Sequence, residues 1–279
     1  MNNKIGLFDS GLGGLSILKK LIKELPSEDY LFYEDSINNP YGNKSEEELL
    51  EITKRNVDYL RSNGCKIIVI ACNTATTSCM KKLREIYKDT IFVGTVPAIK
   101  VAYDKHFYNV INLATPYTKD SKRVMELIRD YRNDDETIYN ISGENLANLI
   151  ELDRKEEIRE LLNSLLSGYK EIGDALVLGC THYSLIKDEI KKVLPKAELL
   201  DGVNGVTKEV IRQLTNTNLL NPKEEKGTIE IINNKSKDLI KRSIEILNDK
   251  SDEKFKTSTI DEDVDSSLYS CIIKRTNVK

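Results

Sequence analysis

Lys66-Ile67-Ile68-Val69-Ile70-Ala71-Cys72-Asn73-Thr74-Ala75 and Asp174-Ala175-Leu176-Val177-Leu178-Gly179-Cys180-Thr181-His182-Tyr183 decide the fold. In each, a short aliphatic run ends in a cysteine and opens a polar, threonine-containing turn. A run this short, β-branched or aliphatic throughout, reads as a strand buried on both faces, the kind found in parallel sheets covered by helices. In open α/β sheets ligands bind beyond the C-terminal ends of the strands. Two separate strands thus deliver two thiols to a place where a substrate would sit, and the duplication suggests a paired task.

Outward from these runs, strand and helix patterns alternate, which implies parallel sheet. Lys4 to Asp9, Tyr30 to Glu34, Ile67 to Ala71 and Ile91 to Gly94 read as strands, with helices at Leu15 to Glu24, Ser45 to Asn63 and Thr76 to Tyr87. The chain crosses over at Val96-Pro97-Ala98. Strands then follow at Asn109 to Ala114, Thr137 to Ile141, Ala175 to Gly179 and Glu198 to Leu200, with helices at Ser121 to Tyr131, Leu146 to Ser167 and Leu185 to Leu194. From Gly205 come a helix to Leu214, a strand at Thr228 to Ile232, a helix at Ser236 to Leu247 and a final strand at Tyr269 to Arg275. Asn248 to Asp265, rich in charge and Ser/Thr, reads as a loop or solvated face. The expected architecture is α/β with two lobes and mainly parallel sheets: 1–96 plus 206–279 carrying Cys72, and 97–205 carrying Cys180, with the site in the cleft between them.

Length and charge exclude little chemistry but several partners. At 279 residues the chain can bury a full core. Its 42 basic and 45 acidic residues are well mixed, leaving no footprint for nucleic acid or an anionic membrane. The start lacks a signal-peptide pattern, and no apolar run approaches the roughly 18 residues of a membrane span. A cytoplasmic protein is expected. Five scattered cysteines do not form a disulfide framework, so free thiols are expected.

Ile5-Gly6-Leu7-Phe8-Asp9-Ser10-Gly11-Leu12-Gly13-Gly14-Leu15-Ser16 reads as strand, glycine turn and helix, a cradle where main-chain N–H groups could meet a ligand anion. It lacks the third glycine of a dinucleotide site and the Gly-Lys-Ser/Thr of a P-loop; its bland alternative is a turn with Asp9 or Ser10 capping the helix. Cys72 and Cys180 could be apolar fillers, as free cysteine commonly is. Against that stand the polar groups after each, set where unpaired N–H groups at a helix start can receive a carboxylate or favour a thiolate. Cys65, before the strand, and Cys79, inside the next helix, read as packing. With only His106 and His182, the chain is poor in zinc ligands. A Cys180/His182 nucleophile pair would leave Cys72 unexplained, and His106 reads as a surface or cap residue.

Two thiols suit inversion of a carbon bearing a weakly acidic hydrogen: one base removes the proton from one face while an acid supplies a proton to the other. Phe8-Asp9-Ser10-Gly11-Leu12-Gly13-Gly14, Pro40-Tyr41-Gly42-Asn43-Lys44-Ser45, Ala71-Cys72-Asn73-Thr74-Ala75, Ala114-Thr115-Pro116-Tyr117-Thr118 and Leu178-Gly179-Cys180-Thr181-His182-Tyr183 resemble, in order, the motifs of the glutamate racemases, of the aspartate/glutamate racemase superfamily. The resemblance implies two flavodoxin-like lobes and cofactor-independent interconversion of L- and D-glutamate for peptidoglycan synthesis. It implies that Cys72 takes the α-proton of D-glutamate and Cys180 that of L-glutamate, supported by Asp9 and His182 respectively. Asp9, Ser10, Pro40, Tyr41, Gly42, Asn73, Thr74, Thr115, Thr118, Thr181 and His182 would hold the substrate, and Glu151 would be a further acid on the Cys180 side. The chain departs from the family pattern around Glu151, which lacks two flanking prolines, and at Glu34 to Asn39, which lacks a glycine and an arginine. No metal, nucleic acid or membrane is expected, and the expected partners are a small-molecule substrate and a second copy of the chain. The alternatives are a related aspartate or hydantoin racemase and a non-catalytic amino-acid-binding homologue.

Overall fold

Alternate residues of each buried strand point into different layers, and that alternation builds the protein. In the computed structural model, which describes residues 3–131, 135–257, 259–263 and 267–275, eleven strands among the described residues form two sheets. They are β1 (Lys4–Asp9), β2 (Asp29–Glu34), β3 (Cys65–Ile70), β4 (Phe92–Gly94), β5 (Asn109–Ala114), β6 (Thr137–Ser142), β7 (Ala175–Gly179), β8 (Glu198–Leu200), β9 (Ile229–Asn233), β10 (Asp261–Asp263) and β11 (Leu268–Ile273).

The first sheet has the order β10-β11-β9-β2-β1-β3-β4 and the second β6-β5-β7-β8. All pairings are parallel except those of β11 with β9 and β10. Along β3, Ile67 and Val69 join one apolar layer with Leu18 and Leu21 of the helix Leu15–Glu24, while Ile68 and Ile70 join another with Leu49, Val57 and Leu83. All four strand residues are fully buried, each worth about 1.5–3 kcal/mol. The second sheet is clothed likewise, with Leu176 and Leu178 on one side and Ala175 and Val177 on the other.

Within the larger sheet, β2-β1-β3-β4 repeats the order β6-β5-β7-β8. Each quartet therefore has a point where successive connections leave in opposite directions, between β1 and β3 and between β5 and β7. Cys72 follows β3 and Cys180 follows β7, so the two cysteines occupy corresponding places beside these switch points, where open α/β sheets bind ligands.

Several element boundaries differ from the sequence pattern. Cys65 opens β3 rather than preceding it. The long helix expected from Leu146 to Ser167 is two, Leu146–Glu151 and Lys155–Leu166. Asp153 between them adopts a left-handed φ of 55°, while the amides of Asp153 and Arg154 bond back to the carbonyls of Ile150 and Leu149. That is a helix stop of the Schellman type with Asp where Gly is usual. The stretch Asn248 to Asp265 is not purely a solvated loop, because Asp261–Asp263 pairs with β11 and Phe255 is buried in the first core.

Candidate active site

The turn after β1 meets the turn after β7 at very short range. A Cβ added to Gly13 would lie 2.6 Å from both the His182 amide nitrogen and Thr181 Oγ1, and one on Gly11 2.5 Å from the Glu151 carboxylate oxygens. Glycine at both positions lets the loop between β1 and the helix Leu15–Glu24 seat itself on elements of the second sheet. A similar approach occurs at Gly42, whose added Cβ would be 3.0 Å from that of Thr115.

The two sulfurs sit beside this junction, both nearly buried, Cys72 5% and Cys180 7% exposed. Cys72 is the residue preceding the helix Asn73–Ile86. Burial first, and then the negative charge on Asp9, push its thiol well above the usual 9.0, with the Ala75 amide and the Ser10 hydroxyl working the other way. The charge of Cys180 also acts on it, which puts the sulfurs within electrostatic reach of each other. Asp9 ends β1 and is fully buried. Its Oδ1 accepts from the Ser10 amide at 2.6 Å, and its Oδ2 accepts from Thr181 Oγ1 at 2.8 Å. Burial raises its carboxyl from 3.8 despite the pull of His182, Thr181 and Ser10.

On the Cys180 side the ring of His182 joins two groups. Nδ1 lies 3.9 Å from Cys180 Sγ and Nε2 lies 2.8 Å from Glu151 Oε2. Burial disfavours the charged imidazole, but its hydrogen bonds to Cys180 and Glu151 outweigh that and hold it well above 6.5. Glu151 is buried too, yet the His182 bond and charge, the Leu12 amide and the Ser36 hydroxyl keep it below 4.5. An acceptor-only carboxylate with three donors fixes the Nε2–H of the ring, leaving an imidazolium Nδ1–H directed at sulfur.

The glycine loop was expected to cradle a ligand anion. Its Leu12 amide instead donates to Glu151 Oε2 at 3.1 Å, so the anion at that amide is the protein's own.

Around the cysteines lie the other residues singled out in the sequence. Thr74, Thr115 and Thr118 are buried with their hydroxyls 3.0–3.1 Å apart, and Thr115 also caps the short helix Pro116–Asp120. Asn73 is buried with its Oδ1 unpaired. Tyr41, on the turn with Pro40 and Gly42, directs its hydroxyl to Asp35 and accepts from Asn56 at 2.9 Å. His106 stands at a left-handed φ of 57° on an exposed turn, and Cys65, Cys79 and Cys271 pack in the cores. Among the described residues no group of three or more His, Cys, Asp or Glu is arranged to hold a metal ion.

Sequence reading passed over Glu34, Ser36, Asn233 and Ser243, all buried and joined in one hydrogen-bond series that reaches Glu151 through Ser36. Glu34 had a signal: it ends β2 as Asp9 ends β1, and the two are register partners.

Residues 28–210 match the Asp/Glu/Hydantoin racemase family. A glutamate racemase of Clostridium botulinum is 40% identical over 253 residues, spanning 87% of this chain and 96% of its relative. The chain belongs to the Asp/Glu/hydantoin racemase family. Its members are isomerases, and solved structures share the fold over about nine tenths of the chain. Glutamate racemase from Francisella tularensis, determined in complex with D-glutamate, superposes with a TM-score of 0.76 at 27% identity, covering 91% of this chain and 96% of that one. The Thermus thermophilus glutamate racemase, in complex with beta-chloro-D-alanine, gives a TM-score of 0.72 at 29% identity over 88% and 93%. Among the described residues of this racemase no helix is long and apolar enough to cross a membrane.

Proposed function

We propose that this racemase interconverts L- and D-glutamate through two thiols, Cys72 and Cys180, acting on opposite faces of the α-carbon. The observation that carries this is the pair of nearly buried sulfurs at corresponding switch points, each with its own polar partners. From L-glutamate, the Cys180 thiolate takes the α-proton, breaking C–H and forming S–H, and the Cys72 thiol gives its proton to the other face. D-glutamate leaves, with Cys72 now the thiolate and Cys180 the thiol. The reverse reaction runs through the same states. His182 Nδ1, 3.9 Å from Cys180 Sγ, is placed to hydrogen-bond that sulfur, while burial and Asp9 favour the protonated form of Cys72. Carboxylates would be received by the threonine hydroxyls and by the first amides of the helix Asn73–Ile86, in a water-poor setting where such donors act strongly.

The test is exchange of the α-hydrogen in heavy water. Cys72→Ser and Cys180→Ser should each abolish racemisation, since a serine hydroxyl is far too weak an acid to replace the thiol. An unimpaired double variant would end the two-thiol account. Turnover of glutamate against aspartate and hydantoins decides the substrate, for which support comes from relatives named glutamate racemase. Supply of D-glutamate to peptidoglycan in the cytoplasm and a homodimer belong to the same proposal. Rescue of a D-glutamate auxotroph and sedimentation test them.

A further inference from the structure

Behind the Glu151–His182–Cys180 series lies a second series of buried polar groups. Asn233 ends β9, and its Oδ1 accepts from the amides of Lys235 and Ser236 at 2.9 and 3.0 Å. With the oxygen so engaged, the orientation of the amide is fixed and both Nδ2 hydrogens point inward. One goes to Glu34 Oε2 at 2.8 Å and the other to Ser36 Oγ at 3.0 Å. Having accepted from Asn233, the Ser36 hydroxyl donates to Glu151 Oε1 at 3.0 Å. The helix Lys237–Asn248 closes the assembly from behind. Its Ser243 donates to Glu34, and its Arg242 donates to the carbonyl oxygens of Glu151 and Ile150 at 2.5 and 2.8 Å.

We infer that Ser36, aimed by Asn233 and Glu34, is a positioning residue for the Cys180 half of the reaction, acting through Glu151 and His182. Among the described residues Glu151 Oε1 receives one hydrogen bond, from Ser36, while Oε2 receives those of Leu12 and His182. Without the serine hydrogen the carboxylate is held through Oε2 alone, and His182 has a less firmly oriented partner to direct Nδ1 to sulfur. The hydrogen-bond series from Ser36 runs to Cys180, whereas Cys72 is served by Asp9, Ser10 and Ala75. The defect should therefore be one-sided. Hydrogen-bond partners that orient a working side chain, as those behind metal-bound histidines do, are worth about 10- to 100-fold in activity, and a loss of that order is expected here.

This inference rests on the proposed two-thiol reaction, and its test separates the two. Because enantiomers are equally stable, kcat/KM must stay equal in the two directions in any variant, so the one-sidedness is read from primary deuterium isotope effects. In Ser36→Ala, proton transfer at Cys180 becomes the slower step. The effect on kcat/KM should rise with α-deuterated L-glutamate and fall toward unity with α-deuterated D-glutamate. Ser36→Thr, which keeps the hydroxyl, should rescue both, and Asn233→Ala, which releases that hydroxyl, should reproduce Ser36→Ala if the latter folds poorly. Cys72→Ala and Cys180→Ala, each left with a single thiol and no racemisation, calibrate the faces by wash-in from labelled solvent, the first exchanging the α-hydrogen of L-glutamate and the second that of D-glutamate. If Cys180→Ala fails to impair the L side, the proposed function is at fault. If it does impair that side while Ser36→Ala and Asn233→Ala leave both isotope effects at wild-type values, or shift them in the opposite sense, the positioning role is overturned.

Discussion

Adding one methyl group at Gly13 should open the junction between the two sheets. The new Cβ would lie 2.6 Å from the His182 amide nitrogen and Thr181 Oγ1, about 0.8 Å short of the 3.4 Å at which ordinary contact begins, and 2.8 Å from His182 Nδ1. The amide nitrogen cannot rotate away, and Thr181 Oγ1 is held by Asp9 at 2.8 Å. The turn that carries Cys180, Thr181 and His182 must retreat by most of that distance. A misplacement approaching 1 Å between reacting groups lowers rate by about 10²-fold, whereas the overpacking itself costs about 1–3 kcal/mol of stability. Gly13→Ala should accordingly remain folded at 25 °C with kcat reduced on the order of 10²-fold. Circular dichroism at fixed wavelength follows racemisation from either enantiomer, and thermal unfolding follows stability. Gly205→Ala, where nothing lies within 4 Å of the added atom, serves as the neutral control. A Gly13→Ala enzyme within twofold of wild-type kcat would refute the wedge.

Two further predictions concern stability. Lys66 and Glu28 form a buried ion pair at 2.6 Å, with Lys66 also donating to the Leu219 carbonyl and Glu28 accepting from the Asn221 amide. Lys66→Met strands the carboxylate and should lower unfolding free energy by about 3–5 kcal/mol in urea titrations, with turnover per folded molecule unchanged because Lys66 is at the far end of β3 from Cys72; a loss under 1 kcal/mol would contradict it. Glu34, facing Asp9 and Glu151 with Asn233 and Ser243 as polar partners, is pushed by burial from 4.5 up to about 8. Between those values the folded state holds a proton that the unfolded chain has released, so stability falls as pH rises through the window, by up to about 1.4 kcal/mol per pH unit. Glu34→Gln should flatten that slope in urea midpoints measured from pH 5 to 8, and an unchanged slope would show that Glu34 is ionised throughout.

The strands and the paired thiols were legible because their causes are local. Continuous aliphatic runs mark strands covered on both faces, and a Cys-Thr turn at the end of each lies in one contiguous stretch. The position of Glu151 beside His182 could not be read that way. It depends on a helix stopping at residue 151, and the stop is made by Asp153 in a left-handed conformation, which has no glycine to announce it. Ser36 and Asn233 are harder still. They are single polar residues in different strand-end turns, 115 positions from Glu151 and 197 from each other respectively, and neither has a periodic neighbour. Their role arises only when β9 pairs with β2. The glycine loop shows the converse case: its amides read locally as a place where a ligand anion could sit, and in the fold the Leu12 amide donates to the Glu151 carboxylate.

The recurrence of one strand order in both sheets bears on how a handed molecule treats mirror images even-handedly. An active site made of L-residues cannot itself be mirror-symmetric, so it cannot offer L- and D-glutamate environments that are reflections of one another. Two copies of the same four-strand arrangement supply a different kind of equivalence, in which exchanging the copies exchanges the thiols. In the proposed reaction, what distinguishes one half from the other then lies in residues hung on this frame, Asp9 and Ser10 beside Cys72, His182 and Glu151 beside Cys180. Under the proposed two-thiol reaction, those few positions are where kcat for each enantiomer can drift while the shared frame, and the equal kcat/KM that equilibrium demands, stay unchanged.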